Sequence, residues 1–391
     1  MMQLPPLVEP SEVLSKDEIS RYSRHLLIPD VGVEGQRRLK SSKVLVIGAG
    51  GLGSPALLYL AAAGVGTLGV IDFDRVEASN LQRQVIHRVS MIGKAKVESA
   101  ENAIRELNPY VEMRLHDQRL EPDMAVELFT QYDLIVDGTD NFATRYLVND
   151  ACVLAGKPYV WGSIFRFEGQ ASVFWEDAPG DVGLNYRDLY PEPPPPEQSP
   201  SCSEGGVLGI LCASIGSIMA TEAVKLITGI GDSLLGRLMI YDALDMSYRQ
   251  IPLHRAPTRQ PITALGDYQA FCGLGPLEPD ADTRIPSITA LELQALRERG
   301  DPHWLIDVRE QTEWDIVRIE GAHHVPGGPA LIGHIEERFS KEQPLILHCK
   351  GGVRSRKVLQ ELQRHGFQDV YNLEGGILAW IREVDSSLPT Y

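Results

Sequence analysis

The chain has 391 residues, more than one hydrophobic core organises, so two domains are expected. Its hydrophobic share of 43% is that of an ordinary globular protein. Acidic residues outnumber basic ones 53 to 37, and the formal charge of −16 argues against nucleic acid and anionic membranes as general partners, though not against a local basic pocket.

The first segment carries Glu9, Glu12 and prolines instead of a basic stretch followed by an apolar one, so no signal peptide is expected and the cytoplasm is the expected compartment. Ser15-Lys16-Asp17-Glu18 forms a capping-box pattern that predicts a helix through Leu26. Lys43 to Ile47 reads as a strand, followed by a glycine cluster and an Ala/Leu-rich helix to about Ala63. Thr67 to Ile71 is a second strand ending in Asp72, Val97 to Leu107 a helix, and Leu134 to Val136 a third short strand. That alternation implies a parallel sheet with right-handed crossovers. Tyr159 to Ile164 and Gln170 to Trp175 read as a hairpin. Tyr190 to Ser203, with four consecutive prolines, reads as a stiff extended loop. Helical patterning resumes from Val207 to about Ile227, and Leu238 to Tyr241 reads as a strand. No apolar run approaches the roughly 20 residues that span a bilayer. The pattern weakens from Leu253 to Arg284, and a second αβ alternation begins near Ile285. The expected architecture is α/β: a Rossmann-like nucleotide-binding domain at 1–265, a linker at 266–284 and a smaller α/β domain at 285–391.

Gly48-Ala49-Gly50-Gly51-Leu52-Gly53 lies between a strand and a helix, where backbone N–H groups and the helix N-terminus favour phosphates. Asp72 ends the next strand, where a carboxylate accepts hydrogen bonds from ribose hydroxyls. These features alone suit NAD as well as ATP. Arg83 and Lys96 add cations within reach of phosphates, and Asp140, in Asp137-Gly138-Thr139-Asp140-Asn141, follows a strand where it could hold Mg²⁺ against phosphate oxygens. Asn80, Arg83, Lys96 and Asp140 taken together count against a dinucleotide oxidoreductase.

Ser20 to about Tyr248 resembles the MoeB/ThiF-type adenylyltransferases, bacterial relatives of the ubiquitin-activating enzymes. The resemblance rests on Arg21-Tyr22-Ser23-Arg24-His25, Gly48 to Gly53, Asp72-Phe73-Asp74, Ser79 to Arg83, Lys96-Val97-Glu98 and Thr139-Asp140-Asn141. It implies contacts to ATP and Mg²⁺ from Gly51, Asp72, Asn80, Arg83, Lys96, Asp140 and Asn141, with Asp140 the metal ligand. It also implies a homodimer in which Arg24 reaches the partner subunit's ATP. The implied substrate is the Gly-Gly C-terminus of a ubiquitin-like sulfur-carrier protein. Many such enzymes hold a structural zinc with two Cys-x-x-Cys pairs. Asn185, Asp188, Gln269 and Cys272 stand at those positions here, so no structural zinc is expected.

The cysteines are Cys152, Cys202, Cys212, Cys272 and Cys349, too few and too scattered for a disulfide framework. Cys202, after the proline loop, matches a cysteine that in the resembling enzymes lies over the adenylate and can link covalently to the carrier; a small residue packed at a helix start is the alternative. Cys152 and Cys212 sit among apolar helical residues. Cys349 follows the strand-like Leu345 to His348 and opens Cys349-Lys350-Gly351-Gly352-Val353-Arg354-Ser355 before a helix. Backbone donors and a helix N-terminus suit a thiolate or persulfide there, and Lys350 and Arg354 add positive charge. Ile285 onward resembles a single rhodanese domain, through Leu305 to Arg309, Glu320 to His323 and Leu373 to Gly376 running to Trp380. The Cys-x-x-x-x-Arg loop is one residue shorter than the phosphate cradle of related phosphatases. The resemblance implies Cys349, Arg354 and Cys202 as reacting or assisting groups, and a sulfur donor such as thiosulfate or a cysteine desulfurase.

Overall fold

The structure, a computed structural model, describes residues 4–11, 13–194, 205–272 and 285–391. It forms two compact units, Met1–Pro276 and Leu277–Tyr391.

The first unit opens with α1 (Lys16–Arg21), whose N-cap Ser15 and Glu18 close the expected capping box. The helix expected through Leu26 is interrupted at Tyr22 (φ −92°, ψ 11°) before α2 (Ser23–Leu26). Tyr22 is buried, and its hydroxyl accepts a hydrogen bond from Asn108 Nδ2 at 2.8 Å, so tertiary packing fixes this residue against helical continuation. There follow α3 (Gly32–Ser41), β1 (Lys43–Ile47), α4 (Gly53–Ala63), β2 (Thr67–Ile71), α5 (Lys96–Leu107), β3 (Glu112–His116), α6 (Pro122–Thr130), β4 (Leu134–Asp137) and α7 (Phe142–Ala155). The antiparallel part holds β5 (Tyr159–Phe165), β6 (Glu168–Phe174), helix α8 (Gly209–Thr228), β7 (Arg237–Asp242) and β8 (Ser247–Pro252), and a short α9 (Tyr268–Phe271) follows.

One sheet of eight strands runs β3-β2-β1-β4-β5-β6-β7-β8. The first five are parallel and the last three antiparallel to their neighbours. Side chains alternate across it. Val44 and Val46 face one core with α4, α5 and α8, while Leu45 and Ile47 face another with α6 and α7. Chain order reverses between β1 and β4, which opens a crevice at their carboxyl ends. β3 and β8, which the sequence pattern does not announce, are edge strands with largely polar, solvent-facing residues.

Helix α8 has 20 residues and a mean hydropathy of 1.6, long and apolar enough by composition to cross a bilayer, contrary to the reading that no such run exists. It packs instead into the core through Leu211, Ile215, Met219, Ala223 and Leu226.

Residues 266–272, read as linker, pack on the first unit: Tyr268 and Cys272 are buried in its core and Tyr268 donates to Asp150 at 2.9 Å. Charge fastens the same tail. Arg259 pairs with both Asp188 and Glu176, Arg255 with Glu176 at 3.0 Å, and Arg187 with Asp150 at 2.8 Å. Ala256 N–H donates to Asp188 at 2.9 Å.

The second unit contains β9 (Ser287–Ile288), α10 (Ala290–Arg299), β10 (Trp304–Asp307), α11 (Gln311–Ile316), β11 (His323–His324), α12 (Leu331–Arg338), β12 (Leu345–His348), α13 (Val353–Arg364), β13 (Val370–Leu373) and α14 (Gly376–Glu383). Its five strands are all parallel, in the order β11-β10-β12-β13-β9. Helices cover both faces, and separate apolar clusters form on each.

Arg259 and Asp188 are nearly sealed from water, so Arg259→Met leaves buried carboxylates without their partner. The expected loss is about 3 kcal/mol, or roughly 6–12 °C in the first unit's melting transition. Calorimetry of the full chain checks this, and an unshifted transition would show that the charge clamp contributes nothing.

Candidate active site

The crevice at the β1/β4 switch is an open cavity of about 990 Å³, counting the space at its mouth. The glycine loop forms its floor. Gly48 has φ +87°, and a Cβ on Gly53 would lie 1.8 Å from the Gly48 carbonyl oxygen, so the strand-to-helix turn closes only without a side chain there.

Ala49 is pinned at both its polar groups. Its N–H donates to Asp72 Oδ2 at 2.8 Å, and its carbonyl lies 2.9 Å from His87 Nε2. A carbonyl only accepts, so His87 Nε2 carries the proton, and Nδ1 accepts from Ser99 Oγ at 2.9 Å. Burial holds the imidazole's pKa down at about 4. The other Asp72 oxygen accepts from Asp74 N–H at 2.8 Å. Burial pushes the Asp72 carboxyl up, against the pull of Lys96 and these two donors.

Lys96 opens α5, is buried, and pairs with Asp74 Oδ2 at 2.8 Å. Arg83 is half-buried and donates to the Ser79 carbonyl at 3.3 Å. Asn141 caps α7 by accepting from Thr144 N–H at 2.9 Å, and exposed Asp140 stands beside it. Gly51, Asp72, Arg83, Lys96, Asp140 and Asn141 thus line one cavity. Asn80, read as a nucleotide contact, is not in that lining; its Oδ1 accepts from the Glu77 N–H at 3.1 Å. Arg24, expected at the partner subunit's site, is exposed on α2 and does not line its own chain's cavity. Cys202 lies outside the described residues.

The sequence reading missed Gln84, Arg119 and Arg145 in the lining. Among the described residues Gln84 Oε1 and Arg145 Nε are buried with no hydrogen-bond partner. Arg145 falls one helical turn after Asn141, which was its available signal. Arg119 stacks on Phe73, 4.1 Å from the ring centroid, a pairing across distant segments with no local signal.

The residues present fit a nucleoside triphosphate: a glycine turn, a helix N-terminus, two cations and a carboxylate at a strand end. Among the described residues no group of three His, Cys, Asp or Glu is placed to hold a metal. Asp140 alone fits Mg²⁺ of the kind held by one carboxylate plus substrate phosphates. At the positions where the resemblance places zinc thiolates, Asn185 and Asp188 make other hydrogen bonds and Cys272 is a free, buried thiol. Cys152 and Cys212 are buried in the core.

In the second unit Cys349 follows β12 and is 2% exposed. Its Sγ accepts from Gly352 N–H at 3.2 Å and lies 3.4 Å from Ser355 Oγ. Gly352 is the N-cap of α13, so the thiol faces a helix N-terminus as expected. The loop backbone is held by α14, whose Ile377 N–H donates to the Cys349 carbonyl at 2.9 Å. Arg354 pairs with Glu313 through two 2.7 Å hydrogen bonds, so its charge is shared with a carboxylate that the sequence reading missed. His348 is fully buried, 3.6 Å from Asp307, and burial pushes its pKa down against the pull of that carboxylate.

The ThiF family matches residues 22–262 and the rhodanese-like domain matches residues 289–383. The chain is 58% identical over 388 residues to "Probable adenylyltransferase/sulfurtransferase MoeZ" of Mycobacterium tuberculosis, covering 99% of both chains. It is 42% identical to "Adenylyltransferase and sulfurtransferase MOCS3" of Drosophila ananassae, covering 97% of this chain and 86% of the relative. Among solved structures, E. coli MccB with ATP aligns with a TM-score of 0.54 at 22% identity, over 62% of this chain and 74% of that one, a likeness of fold.

Burial of His87 makes the first unit acid-sensitive, against the opposing pull of its hydrogen bond to the Ala49 carbonyl. The unfolded chain takes up this proton near 6.5 and the folded chain only near 4. Stability present above pH 6.5 is therefore lost as pH falls through that window, about 2 kcal/mol of it by pH 5. His87→Gln should flatten this part of the profile in melts at pH 7 and pH 5; an unchanged difference would remove His87 as its source.

Proposed function

Because this chain belongs to the ThiF family and carries a rhodanese-like domain, an adenylyltransferase and sulfurtransferase in one polypeptide, we propose that it adenylates the C-terminal glycine of a ubiquitin-like sulfur carrier and then supplies sulfur from Cys349. The observation that carries the first half is the convergence of Gly51, Asp72, Arg83, Lys96, Asp140 and Asn141 on one cavity at the sheet's switch point.

In the first half-reaction a carrier carboxylate oxygen attacks the α-phosphorus of ATP, and pyrophosphate leaves. The chain's part is to hold the phosphates against the loop N–H groups and to neutralise charge with Lys96 and Arg83. Asp72 orients the ribose. Mg²⁺, held by Asp140 and phosphate oxygens, would supply further charge neutralisation.

In the second, the Cys349 thiolate takes the outer sulfur of a donor such as thiosulfate, and sulfite leaves. The Gly352 N–H and the α13 N-terminus support the anionic sulfur. The terminal persulfide sulfur then attacks the acyl-adenylate carbonyl, and AMP leaves. A second thiol, for which Cys202 is the candidate, attacks the Cys349 sulfur of the resulting acyl disulfide: the carrier thiocarboxylate leaves, a disulfide forms between the two cysteines, and an external dithiol reductant returns both to thiols. A cysteine desulfurase is the alternative sulfur source. We place the enzyme in the cytoplasm, and as a homodimer in which Arg24, exposed and not lining its own chain's cavity, serves the partner's site, as the family resemblance implies.

Lys96→Ala and Asp140→Ala should each lower carrier-dependent ATP–pyrophosphate exchange about a hundredfold or more while leaving thiosulfate:cyanide sulfurtransfer intact. Cys349→Ala should do the reverse and stop the mass gain of the carrier that marks sulfur replacing oxygen. Exchange surviving in both of the first variants, or an undiminished mass gain with Cys349→Ala and thiosulfate, would sink the corresponding half.

Arg24 gives an independent check on the homodimer. Mixing inactive Arg24→Ala with inactive Lys96→Ala chains should restore part of the exchange activity, because one hybrid site then has both residues. No recovery, with subunit exchange verified by mass, would place Arg24 outside any site.

A further inference from the structure

We infer that Tyr391 is a positioning residue for the cations of the Cys349 loop, acting on Arg354 through Glu313 and on Lys350 through its ring. This rests on the reading of Cys349 as the sulfur-carrying thiol.

Glu313, on α11, is buried and receives four hydrogen bonds. Arg354 Nη1 and the Glu310 N–H donate to Oε2 at 2.7 and 3.1 Å. Arg354 Nη2 and the Tyr391 hydroxyl donate to Oε1 at 2.7 and 2.9 Å. The same hydroxyl accepts from Arg309 Nη1 at 2.6 Å. Guanidinium groups only donate, so the single hydroxyl proton goes to Glu313. Arg309 is fully buried and otherwise committed to Asp307, to the Val317 carbonyl at 2.7 Å and to the Glu313 carbonyl at 3.3 Å. Tyr391 therefore sits at the junction of two ion pairs, Asp307–Arg309 and Glu313–Arg354.

That junction has a directional consequence. Glu313 faces two guanidinium groups and can serve both only with the hydroxyl between it and Arg309. Without the hydroxyl, Arg309 Nη1 loses an acceptor, and Glu313 turns toward that buried cation. Arg354 then loses its bidentate hold. The ring acts separately: Lys350 Nζ lies 4.6 Å from its centroid, within cation–π range. Lys350 and Arg354 flank the thiol in sequence and are the cations an anionic donor meets at the loop. Held in place, they bind the donor without first being ordered, which lowers its KM rather than raising kcat.

The test uses the full chain and thiosulfate:cyanide sulfurtransfer. Tyr391→Phe should raise the thiosulfate KM about threefold to tenfold, the size of one or two hydrogen bonds, with kcat within about twofold. Tyr391→Leu should raise KM further, because Lys350 also loses its ring. In a Glu313→Gln background, Tyr391→Phe should have no further effect, which a general structural role would not produce. Unchanged KM in both Tyr391 variants, a fall in kcat alone, or effects of Tyr391→Phe and Glu313→Gln that simply multiply would overturn the proposal. A wild-type chain that transfers no sulfur would remove the reading of Cys349 and this inference with it. Transfer by wild type without the KM shifts would remove the role of Tyr391 alone.

Discussion

The first site depends on how the Ala49 peptide is held. Its N–H is taken by Asp72 at the end of β2 and its carbonyl by neutral His87, from the segment leading to α5. A glycine-rich turn is soft, and its donors are useful only if their directions are fixed before the ligand arrives. Two side chains from different segments supply that rigidity here. Asp72 also takes the Asp74 N–H, and Asp74 in turn holds Lys96. One chain of hydrogen bonds thus ties the glycine turn, the Asp72 carboxylate and the Lys96 cation into one unit.

The far edge of the same domain is held by a different device. Tail residues Arg255, Arg259 and Tyr268 reach Glu176, Asp188 and Asp150. A buried cluster of this kind is poor evidence of net stability, since desolvation opposes the Coulomb gain. It does set register: a carboxylate sealed from water tolerates few positions of its cation. The tail therefore has one seat, and Cys272 is carried into the core as a packed thiol.

Much of this was legible from the residues. Strands and turns with strong patterns, β1, β2, the glycine loop and the Cys349 loop, lie where spacing placed them. The edge strands β3 and β8 did not announce themselves because solvent-facing edges carry polar residues without clean alternation. Six of the expected nucleotide contacts share one cavity, since all but Arg83 follow a strand end or stand at the start of a helix, and topology gathers those points. Asn80 departs because its amide completes a local turn instead. Arg119 and Glu313 escaped notice for a common reason: each matters through a partner far away in sequence, and no local pattern encodes that. The tail beyond Gly266 was read as linker because its anchoring is by charge and by isolated aromatic side chains, not by a periodic apolar face.

The two sites solve one electrostatic problem in a protein of strongly negative charge. ATP and thiosulfate are anions, and at physiological salt a charge is screened within about 8 Å. Attraction must then come from cations at the sites themselves. A free cation on a loop would be mobile and would grip anionic products as firmly as substrates. Lys96 and Arg354 are each paired with a carboxylate, Asp74 and Glu313, which fixes direction while leaving part of the charge unspent. On the reactions proposed above, pairing also weakens the hold on the leaving anions, pyrophosphate in one unit and sulfite in the other. The acidic excess of the chain is in this respect part of the sites: some of its carboxylates keep the few functional cations aimed.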